Sequence, residues 1–324
     1  MGWKSATLGV LLSLLTMYVI FKLTETSLTW QTLTNLNPIY LLLAFVLQVI
    51  FWVFWAVRLR MITLYTGFRI SYFYSLKITL SSMFVAAITP SSAGGEPVRI
   101  KMVSDKGVPI GASTLVVLTE RILDSLFFAT ALPIFLILTG FSTALGFKVA
   151  ILFSIILLSF IYLLYHILKN EHGIKRFSQI IAKIVRKKGF EEKVERELRN
   201  FKIGTQILSK PRKLVHLFSL TAMMWSAGFM MPSSLLIAMN SDPQYLLSYT
   251  SQLILVIISL IPITPGSSGL VEVTMAYLYS NFVPFSILGS LIVIWRFITY
   301  HMNIIFGLIA LNISAIGKFF GKRS

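Results

Sequence analysis

The sequence predicts an all-α polytopic membrane protein, an inverted-repeat helical bundle with two re-entrant broken-helix hairpins. The first supporting observation is composition. Of the 324 residues, 56% are hydrophobic and 13% are charged, whereas a soluble domain carries about 25% charged residues. The second observation is a Thr-Pro motif that occurs twice inside apolar stretches, and the third is the distribution of Lys and Arg along the chain.

Six apolar runs are long enough to cross about 30 Å of hydrocarbon as helices. They are 5–22, 39–58, 110–139, 147–168, 214–239 and 284–316. The first run is preceded by a single charged residue, Lys4, and lacks the small-residue cleavage site that would end a signal peptide. We therefore expect a retained first span.

Two further apolar runs, 71–88 and 245–262, stop at matching breaks. The breaks read Ile88-Thr89-Pro90-Ser91-Ser92-Ala93-Gly94-Gly95-Glu96 and Ile263-Thr264-Pro265-Gly266-Ser267-Ser268-Gly269-Leu270-Val271-Glu272. Each glutamate is followed by an arginine at a similar distance, Arg121 after 25 residues and Arg296 after 24 residues. Broken apolar segments in matching positions of two halves are the sequence pattern that points to the central site of a transporter.

Each break is predicted to be the tip of a hairpin. Pro and Gly interrupt the helix, and the apolar pattern resumes as short helices over about 96–104 and 269–280. Lipid cannot hydrogen-bond free backbone groups, so a break at membrane depth must be buried in protein or line a wet cavity. We expect re-entrant hairpins at about 71–106 and 245–280, with plain membrane spans as the alternative.

The distribution of basic residues predicts the topology. With the N-terminus in the cytoplasm, the cytoplasmic parts are the C-terminal tail, the loop with Arg58, Arg60 and Arg69, the end of the first hairpin with Arg99, and segment 169–213. Cytoplasmic loops are enriched in Lys and Arg, which favours this arrangement with both termini in the cytoplasm. Each half then reads span, span, hairpin, span. Three crossings per half invert the second half relative to the first.

The predicted domains are two membrane repeats. The first covers 1–146, and the second covers 147–324 and includes the basic segment 169–213, which holds 14 of the 29 Lys and Arg residues. Within that segment, 174–188 has the pattern of a basic amphipathic helix, which suits the surface of an anionic leaflet. A solvated linker between the repeats is the alternative.

Glu96 and Glu272 are the first pair of candidate site residues. Ionisable residues at membrane depth are costly, so they are interpreted as functional groups or as buried pairs. Each glutamate opens a short helix after a break, where the helix N-terminus favours a carboxylate. We expect each to hold a proton or cation, to pair with an arginine, or to serve as helix-end structure.

Arg121 and Arg296 are the candidate anion-binding residues. A guanidinium stays charged and matches phosphate with two hydrogen bonds, and broken-helix N-termini add partial positive charge. The alternative is that Arg–Glu pairs simply hold the halves together. The expected substrate site contains both arginines, both glutamates and eight motif residues: Thr89, Pro90, Ser92, Gly94, Thr264, Pro265, Ser267 and Gly269.

Glu120 and Asp124 lie one helical turn apart and flank Arg121. The two carboxylates carry more negative charge than one arginine can neutralise, so we expect a further cation or a proton beside them. We assign Glu120 and Asp124 a role in charge coupling. Tyr300 and Asn303 are candidates for additional polar contacts at the second arginine.

Several other chemistries are disfavoured. The chain has no cysteine and its four histidines lack the spacing of a metal site, so we predict no metal, no other cofactor and no catalytic residue. A Walker-type loop is absent from the sequence, which argues against an ATPase. The formal net charge of +17 is explained by membrane topology, so a nucleic-acid partner is not expected.

Three stretches of the sequence resemble the lysylphosphatidylglycerol synthase transmembrane family, also called flippase-like. They are 89–99, 119–124, and 262–269 with Glu272. The resemblance covers nearly the whole chain and implies a membrane fold and a lipid-facing role. In bifunctional members, this membrane domain is held to flip aminoacylated phospholipid made by a separate soluble domain. That domain is absent from this chain, so we expect that the chain does not aminoacylate lipid itself.

The residues and the resemblance predict a flippase-like transporter in the cytoplasmic membrane. It would move an anionic phospholipid or a polyprenyl-phosphate lipid between leaflets. One alternative is an integral membrane transferase that acts on a lipid-linked sugar or an aminoacyl lipid, and another is a subunit that scaffolds a synthase. The expected partners are the lipid substrate and the anionic leaflet. A lipid-modifying enzyme as partner and an oligomeric assembly are left open.

Overall fold

The structure is a computed structural model that describes residues 2–24, 27–89, 94–140, 210–261 and 264–320, with isolated positions between 148 and 202. In the continuous ranges, every regular element is helical. The helices are α1 (Gly2–Thr24), α2 (Ser27–Thr34), α3 (Pro38–Tyr65), α4 (Tyr72–Ala87), α5 (Gly95–Ser104), α6 (Ile110–Thr139), α7 (Pro211–Ala238), α8 (Tyr245–Ser259), α9 (Leu270–Tyr279), α10 (Phe285–Arg296), a π-helical turn (Phe297–His301) and α11 (Met302–Phe320). The predicted all-α polytopic class is confirmed.

In the described part of the chain, four helical segments are long and apolar enough to cross a membrane. They are Pro38–Tyr65, Ile110–Thr139, Pro211–Ala238 and Phe285–Asn312. These segments confirm four of the predicted spans, and a fifth, 5–22, lies within α1. The predicted span 147–168 falls in the part of the chain where only isolated residues are described.

Local sequence explains where α3 and α4 begin. The Asn37 side chain accepts a hydrogen bond from the Ile39 backbone N–H at 3.1 Å, and Ser71 accepts one from the Tyr74 backbone N–H at 3.3 Å. Such caps satisfy amide groups that have no partner within the first turn of a helix. Asn37 and Ser71 therefore mark the starts of a membrane span and of the first hairpin.

The first hairpin consists of α4 and α5, which run antiparallel. At its open end, the Tyr74 hydroxyl donates to the Met102 carbonyl oxygen at 3.0 Å. At its closed end, a Cβ atom added to Gly95 would lie 3.0 Å from the Ser82 carbonyl oxygen. The helices contain 16 and 10 residues, and each is too short to cross the hydrocarbon alone. The first Thr-Pro break is therefore the tip of a folded-back pair.

The second hairpin consists of α8 and α9 and has the same arrangement. The Tyr279 and Ser248 hydroxyls are hydrogen-bonded at 2.8 Å, and Gln252 Nε2 donates to the Tyr279 hydroxyl at 3.0 Å. At the tip, Ser267 Oγ donates to the Ser259 carbonyl oxygen at 2.6 Å. With 15 and 10 residues, these helices also fold back at the predicted break.

Each hairpin packs against the last span of the other half. The first helix of the first hairpin, α4, contacts α11, and the first helix of the second hairpin, α8, contacts α6. The contact of α4 with α11 is close at Gly307, where an added Cβ would lie 2.5 Å from the Leu80 carbonyl oxygen. The two halves are also joined by α3 and α7, which contact each other extensively.

Two arginines that the sequence analysis placed at the cytoplasmic surface lie in the interior. Arg58 belongs to α3, which continues to Tyr65, and its side chain is completely buried. Arg99 on α5 is 3% exposed. The prediction of a cytoplasmic loop at Arg58 and of a surface position for Arg99 was therefore wrong. The physical reason is that both arginines pair with acidic residues of α6.

Candidate functional site

The tips of the two hairpins touch each other. The Gly266 N–H donates to the Thr89 carbonyl oxygen at 3.1 Å, and the Tyr300 hydroxyl donates to the Ala87 carbonyl oxygen at 3.1 Å. Gly266 has a φ of 57°, and an added Cβ would lie 2.6 Å from the Ala87 carbonyl oxygen. Glycine is needed here both for the backbone conformation and for the close approach of the tips.

The threonine of each Thr-Pro pair closes its own loop. Thr89 Oγ1 accepts a hydrogen bond from the Gly94 N–H at 3.0 Å, and Thr264 Oγ1 donates to the Ser268 carbonyl oxygen at 2.7 Å. These contacts stabilise backbone that has left the helical ladder. In the described structure, both threonines serve the loop itself.

The other described motif residues of the second break also belong to its loop. Pro265 and Ser267 are buried in the second loop, and Gly269, with a φ of 86°, leads into α9. Pro90 and Ser92 lie outside the described residues.

Glu272 is completely buried at the start of α9. Its Oε2 accepts a hydrogen bond from the Gly269 N–H at 2.8 Å, and its Oε1 accepts one from Ser13 Oγ at 2.9 Å. The same Oε1 lies 2.8 Å from Arg296 Nε. Glu272 therefore combines two of the roles expected from the sequence, because it caps a helix and pairs with an arginine.

Arg296 is enclosed by the second loop and the final span. Besides Glu272, its guanidinium donates to the Gly266 carbonyl oxygen at 3.0 Å through Nη2. The Tyr300 ring lies against it, with the ring centre 4.2 Å from Cζ. The Arg296 side chain is 7% exposed. Its donors are directed to protein acceptors, as expected for an arginine that holds the structure together.

The acids of α6 meet two buried arginines. Arg58 Nη1 lies 2.5 Å from Asp124 Oδ1, and Arg58 Nη2 lies 3.5 Å from Glu120 Oε1. Arg99 Nη1 lies 2.8 Å from Glu120 Oε2. Side chains of α3 and α5 therefore lie beside Glu120 and Asp124, where the sequence predicted a further cation or a proton.

Helix α7 completes this buried cluster. Trp225 Nε1 donates to Asp124 Oδ1 at 2.8 Å, and Arg58 Nη1 donates to Thr221 Oγ1 at 3.1 Å. Buried ion pairs are tolerated when such hydrogen bonds satisfy the remaining polar atoms. The cluster joins α3, α5, α6 and α7, and it contains both residues assigned to charge coupling.

Arg121 lies at the accessible edge of the same cluster. Its Nε is 3.7 Å from Glu96 Oε1, and its Nη1 is 3.5 Å from Asp124 Oδ2. The side chains of Arg121 and Glu96 are 33% and 34% exposed. Among the described residues, Arg121 Nε has no hydrogen-bond acceptor. The pair of the first half is therefore loose and open.

Trp55 separates this cluster from a cavity. The guanidinium carbons of Arg99, Arg121 and Arg58 lie 4.9, 5.8 and 6.0 Å from the Trp55 ring centre, within the range of cation–π attraction. The Trp55 side chain also lines a cavity of about 160 Å³. The cavity is lined by Gln48, Phe51, Trp55, Met83, Trp225, Gly228, Phe229, Met231, Gln252, Val256, Trp295, Thr299 and Asn303.

Comparison with known proteins identifies the family. Residues 6–307 match the family described as Lysylphosphatidylglycerol synthase TM region. The chain belongs to this family. It is similar to a UPF0104 membrane protein of Archaeoglobus fulgidus, with 53% identity over 98% of this chain and 99% of that protein. A UPF0104 membrane protein of Methanocaldococcus jannaschii is 24% identical over 87% of each protein.

Within this lysylphosphatidylglycerol synthase TM region, buried ion pairs between described residues occur in both halves, as a cluster around Glu120 and Asp124 in the first half and as the Arg296–Glu272 pair in the second half. The sequence predicts Arg121, Glu96, Glu120 and Asp124 as site residues of the first half, but neither Arg58 nor Arg99, which pair with these acids. The available signal was the surplus of acids around Arg121, which required a positive partner. The sequence also gave no indication that tryptophans border both the cluster and the cavity.

Proposed function

We propose that this protein is a flippase-like transporter that moves an anionic lipid, a phospholipid or a polyprenyl phosphate, between membrane leaflets. Arg121 receives the lipid phosphate. The observation that carries this proposal is the open state of Arg121, whose side chain is 33% exposed and whose contact with Glu96 is 3.7 Å long. A phosphate group can offer a guanidinium two short, charge-assisted hydrogen bonds, which are stronger than this contact.

The charges of the first cluster explain why Arg121 is the available cation. Arg58 and Arg99 neutralise Asp124 and Glu120 in the interior, at distances of 2.5 and 2.8 Å. Arg121 and Glu96 are left as a partly exposed pair, and such pairs contribute at most about 1 kcal/mol. An incoming phosphate can therefore replace the Glu96 carboxylate without exposing a buried charge.

The cavity beside Trp55 supports an amphiphile over a free anion. Its lining includes Phe51, Met83, Phe229 and Val256, whose apolar surfaces match hydrocarbon. A phosphate at Arg121 and apolar groups at this cavity together describe an anionic lipid. Buried lipid chains would gain about 25 cal/mol for each Å² removed from water.

The packing of the hairpins supports a transport cycle between two inverted repeats, 1–146 and 147–324. Each hairpin rests on the last span of the other half, which is the reciprocal relation expected of inverted repeats. The tips meet through Gly266 and Thr89. In the proposed cycle, the hairpins form two gates that face opposite leaflets.

Transport by reconstituted protein tests this proposal. Liposomes would contain fluorescent phosphatidylglycerol, and its movement would be followed by quenching from outside. We expect Arg121→Ala to slow transport about tenfold or more, because hydrogen bonds to charged groups contribute about 1.5–3 kcal/mol. Arg121→Lys should recover only part of the rate, since an ammonium lacks the planar fork.

Arg69→Ala is the matched control, because Arg69 is exposed in the loop before α4. It should transport as the native protein does, and thermal unfolding would verify that each variant is folded. Normal transport by folded Arg121→Ala would overturn the proposed phosphate site. Failure of the native protein to move any anionic lipid would overturn the transport function itself.

A further inference from the structure

We infer that the cavity of about 160 Å³ binds the uncharged linkage region of a lipid, where the hydrocarbon chains join the head group. The indole N–H groups of Trp55 and Trp295 donate hydrogen bonds to its linkage oxygens. This inference rests on the proposed function in that it takes a lipid as the ligand, and it assigns a site separate from the phosphate site.

The first observation is a pair of buried donors without acceptors. Trp55 and Trp295 are 8% and 5% exposed, and both line the cavity. Among the described residues, neither Nε1 atom has a hydrogen-bond partner. Buried polar groups are almost always paired in native proteins, because an unpaired donor loses its hydration without compensation. Two such donors on residues that line one cavity point to an acceptor supplied by a ligand, which reaches them when neighbouring side chains shift, because neither Nε1 atom is exposed at the cavity surface in this structure.

Two nearby tryptophans show that unpaired indoles are not general in this region. Trp52 Nε1 donates to Asn303 Oδ1 at 2.9 Å, and Trp225 Nε1 donates to Asp124 Oδ1 at 2.8 Å. Side chains of the protein therefore accept hydrogen bonds from Trp52 and Trp225. Trp55 and Trp295 differ because neither has such an acceptor among the described residues, although Trp225 lines the same cavity.

The lining determines the chemical class of the ligand. It combines aromatic and aliphatic side chains with the amides of Gln48, Gln252 and Asn303, and no Asp, Glu, Lys or Arg is among the described residues that line it. A charged group would lose its hydration there without a counter-charge. Uncharged oxygens attached to hydrocarbon, as in the ester or ether linkages of a lipid, match both the donors and the apolar walls.

The size and position of the cavity fit this part of a lipid. A cavity of about 150 Å³ in another protein binds one benzene molecule, so about 160 Å³ accommodates a linkage region. The Trp55 ring centre lies 5.8 Å from the Arg121 guanidinium carbon. A phosphate at Arg121 and a linkage oxygen at Trp55 would therefore belong to neighbouring groups of one molecule.

A binding experiment with two short-chain lipids tests the inference. The detergent-purified protein would be titrated with dihexanoylphosphatidylglycerol and with neutral dihexanoylglycerol, and binding would be measured by native mass spectrometry. The double variant Trp55→Phe with Trp295→Phe should bind both lipids about tenfold more weakly, because two hydrogen bonds are lost. Each single variant should show about threefold weaker binding.

Control variants separate this site from the phosphate site. Trp30→Phe makes the same substitution at an indole that is 52% exposed and outside the cavity lining, and it should bind both lipids normally. Arg121→Ala should weaken binding of the phosphate lipid alone. The single tryptophan variants keep the test decisive if the double variant does not fold.

The outcomes for the two proposals differ. Unchanged binding of both lipids by the folded tryptophan variants would overturn the inference, and this is also the result expected if the cavity holds water alone. Tryptophan-dependent binding of the neutral lipid supports the inference, even if Arg121→Ala has no effect. Unchanged binding of the phosphate lipid by Arg121→Ala would overturn the proposed phosphate site alone.

Discussion

The two halves of the molecule contain the same Glu and Arg elements in opposite states. In the second half, Arg296 and Glu272 are 2.8 Å apart, with side chains 7% and 0% exposed. In the first half, Arg121 and Glu96 are 3.7 Å apart, and about a third of each side chain is exposed. One motif thus forms a closed, buried pair in one half and a partly exposed pair in the other.

The surroundings of the two arginines explain the difference. Arg121 is flanked on α6 by Glu120 and Asp124, and buried Arg58 and Arg99 bind these acids. Glu96 is consequently held by Arg121 alone among the described ion pairs. In the second half, Trp295 and Phe297 flank the arginine, and α1 packs against α9 and α10. A repeated motif therefore does not imply a repeated role.

The largest loss of stability should follow from removing the arginine of the buried Arg296–Glu272 pair. Arg296→Ala leaves the Glu272 carboxylate buried without its cation, and breaking a buried pair costs about 3–5 kcal/mol. Arg121→Ala should cost less than about 1 kcal/mol, because its partly exposed contacts are screened by solvent. The free energies of unfolding in detergent, measured with denaturant, check this difference.

A second substitution at the closed pair serves as a control. Replacing both partners, with Arg296→Met and Glu272→Leu, should recover part of the stability, since no unpaired charge remains. Equal losses for Arg296→Ala and Arg121→Ala would contradict the distinction between the two halves.

An intermediate effect should come from the glycines of the two tips. Gly266→Ala places a Cβ 2.6 Å from the Ala87 carbonyl oxygen at a φ of 57°, so we expect a loss of about 1–3 kcal/mol. At Gly94 the nearest atom to an added Cβ is Thr89 Cγ2, also at 2.6 Å. That side chain can rotate, and the φ of −71° at Gly94 suits alanine.

Thermal unfolding of the two glycine variants measures this contrast. Gly94→Ala should have the smaller effect, because no backbone needs to move. A greater loss for Gly94→Ala would mean that the first loop, and not the contact between the tips, is the more tightly packed element.

The smallest change in stability is expected at Glu96. Glu96→Gln should alter the free energy of unfolding by less than about 0.5 kcal/mol, because the side chain is partly exposed. It should nevertheless strengthen phosphatidylglycerol binding up to about fivefold, since the competing ion pair contributes at most about 1 kcal/mol. Titration by native mass spectrometry checks the affinity. Weaker binding would indicate that Glu96 contacts the lipid itself.

Periodicity and breaker residues predicted most of the fold. Apolar runs located four spans, and the Pro and Gly residues located both hairpin tips, because these signals depend on local backbone chemistry. The position of Arg58 was not predicted, since one charge near the end of an apolar run resembles the start of a loop. Its partner Asp124 lies 66 residues away, and such a contact is determined by how the helices pack.

The candidate site was predicted only where the sequence repeats itself. The repetition selected Arg121, Arg296, Glu96 and Glu272, but the exposure of each side chain depends on neighbours that the motif does not contain. The cavity requires side chains from five helical segments, and its unpaired indoles follow from packing rather than from spacing.

The hydrogen bond between Gly266 N–H and the Thr89 carbonyl oxygen has a kinetic consequence. It joins backbone to backbone, so substitution of a side chain does not delete either partner. Separating the tips removes the partner of both backbone groups. Deuterium can reach this amide only while the tips are apart. The isotope exchange of a single amide, that of Gly266, therefore reports the opening of the contact between the tips.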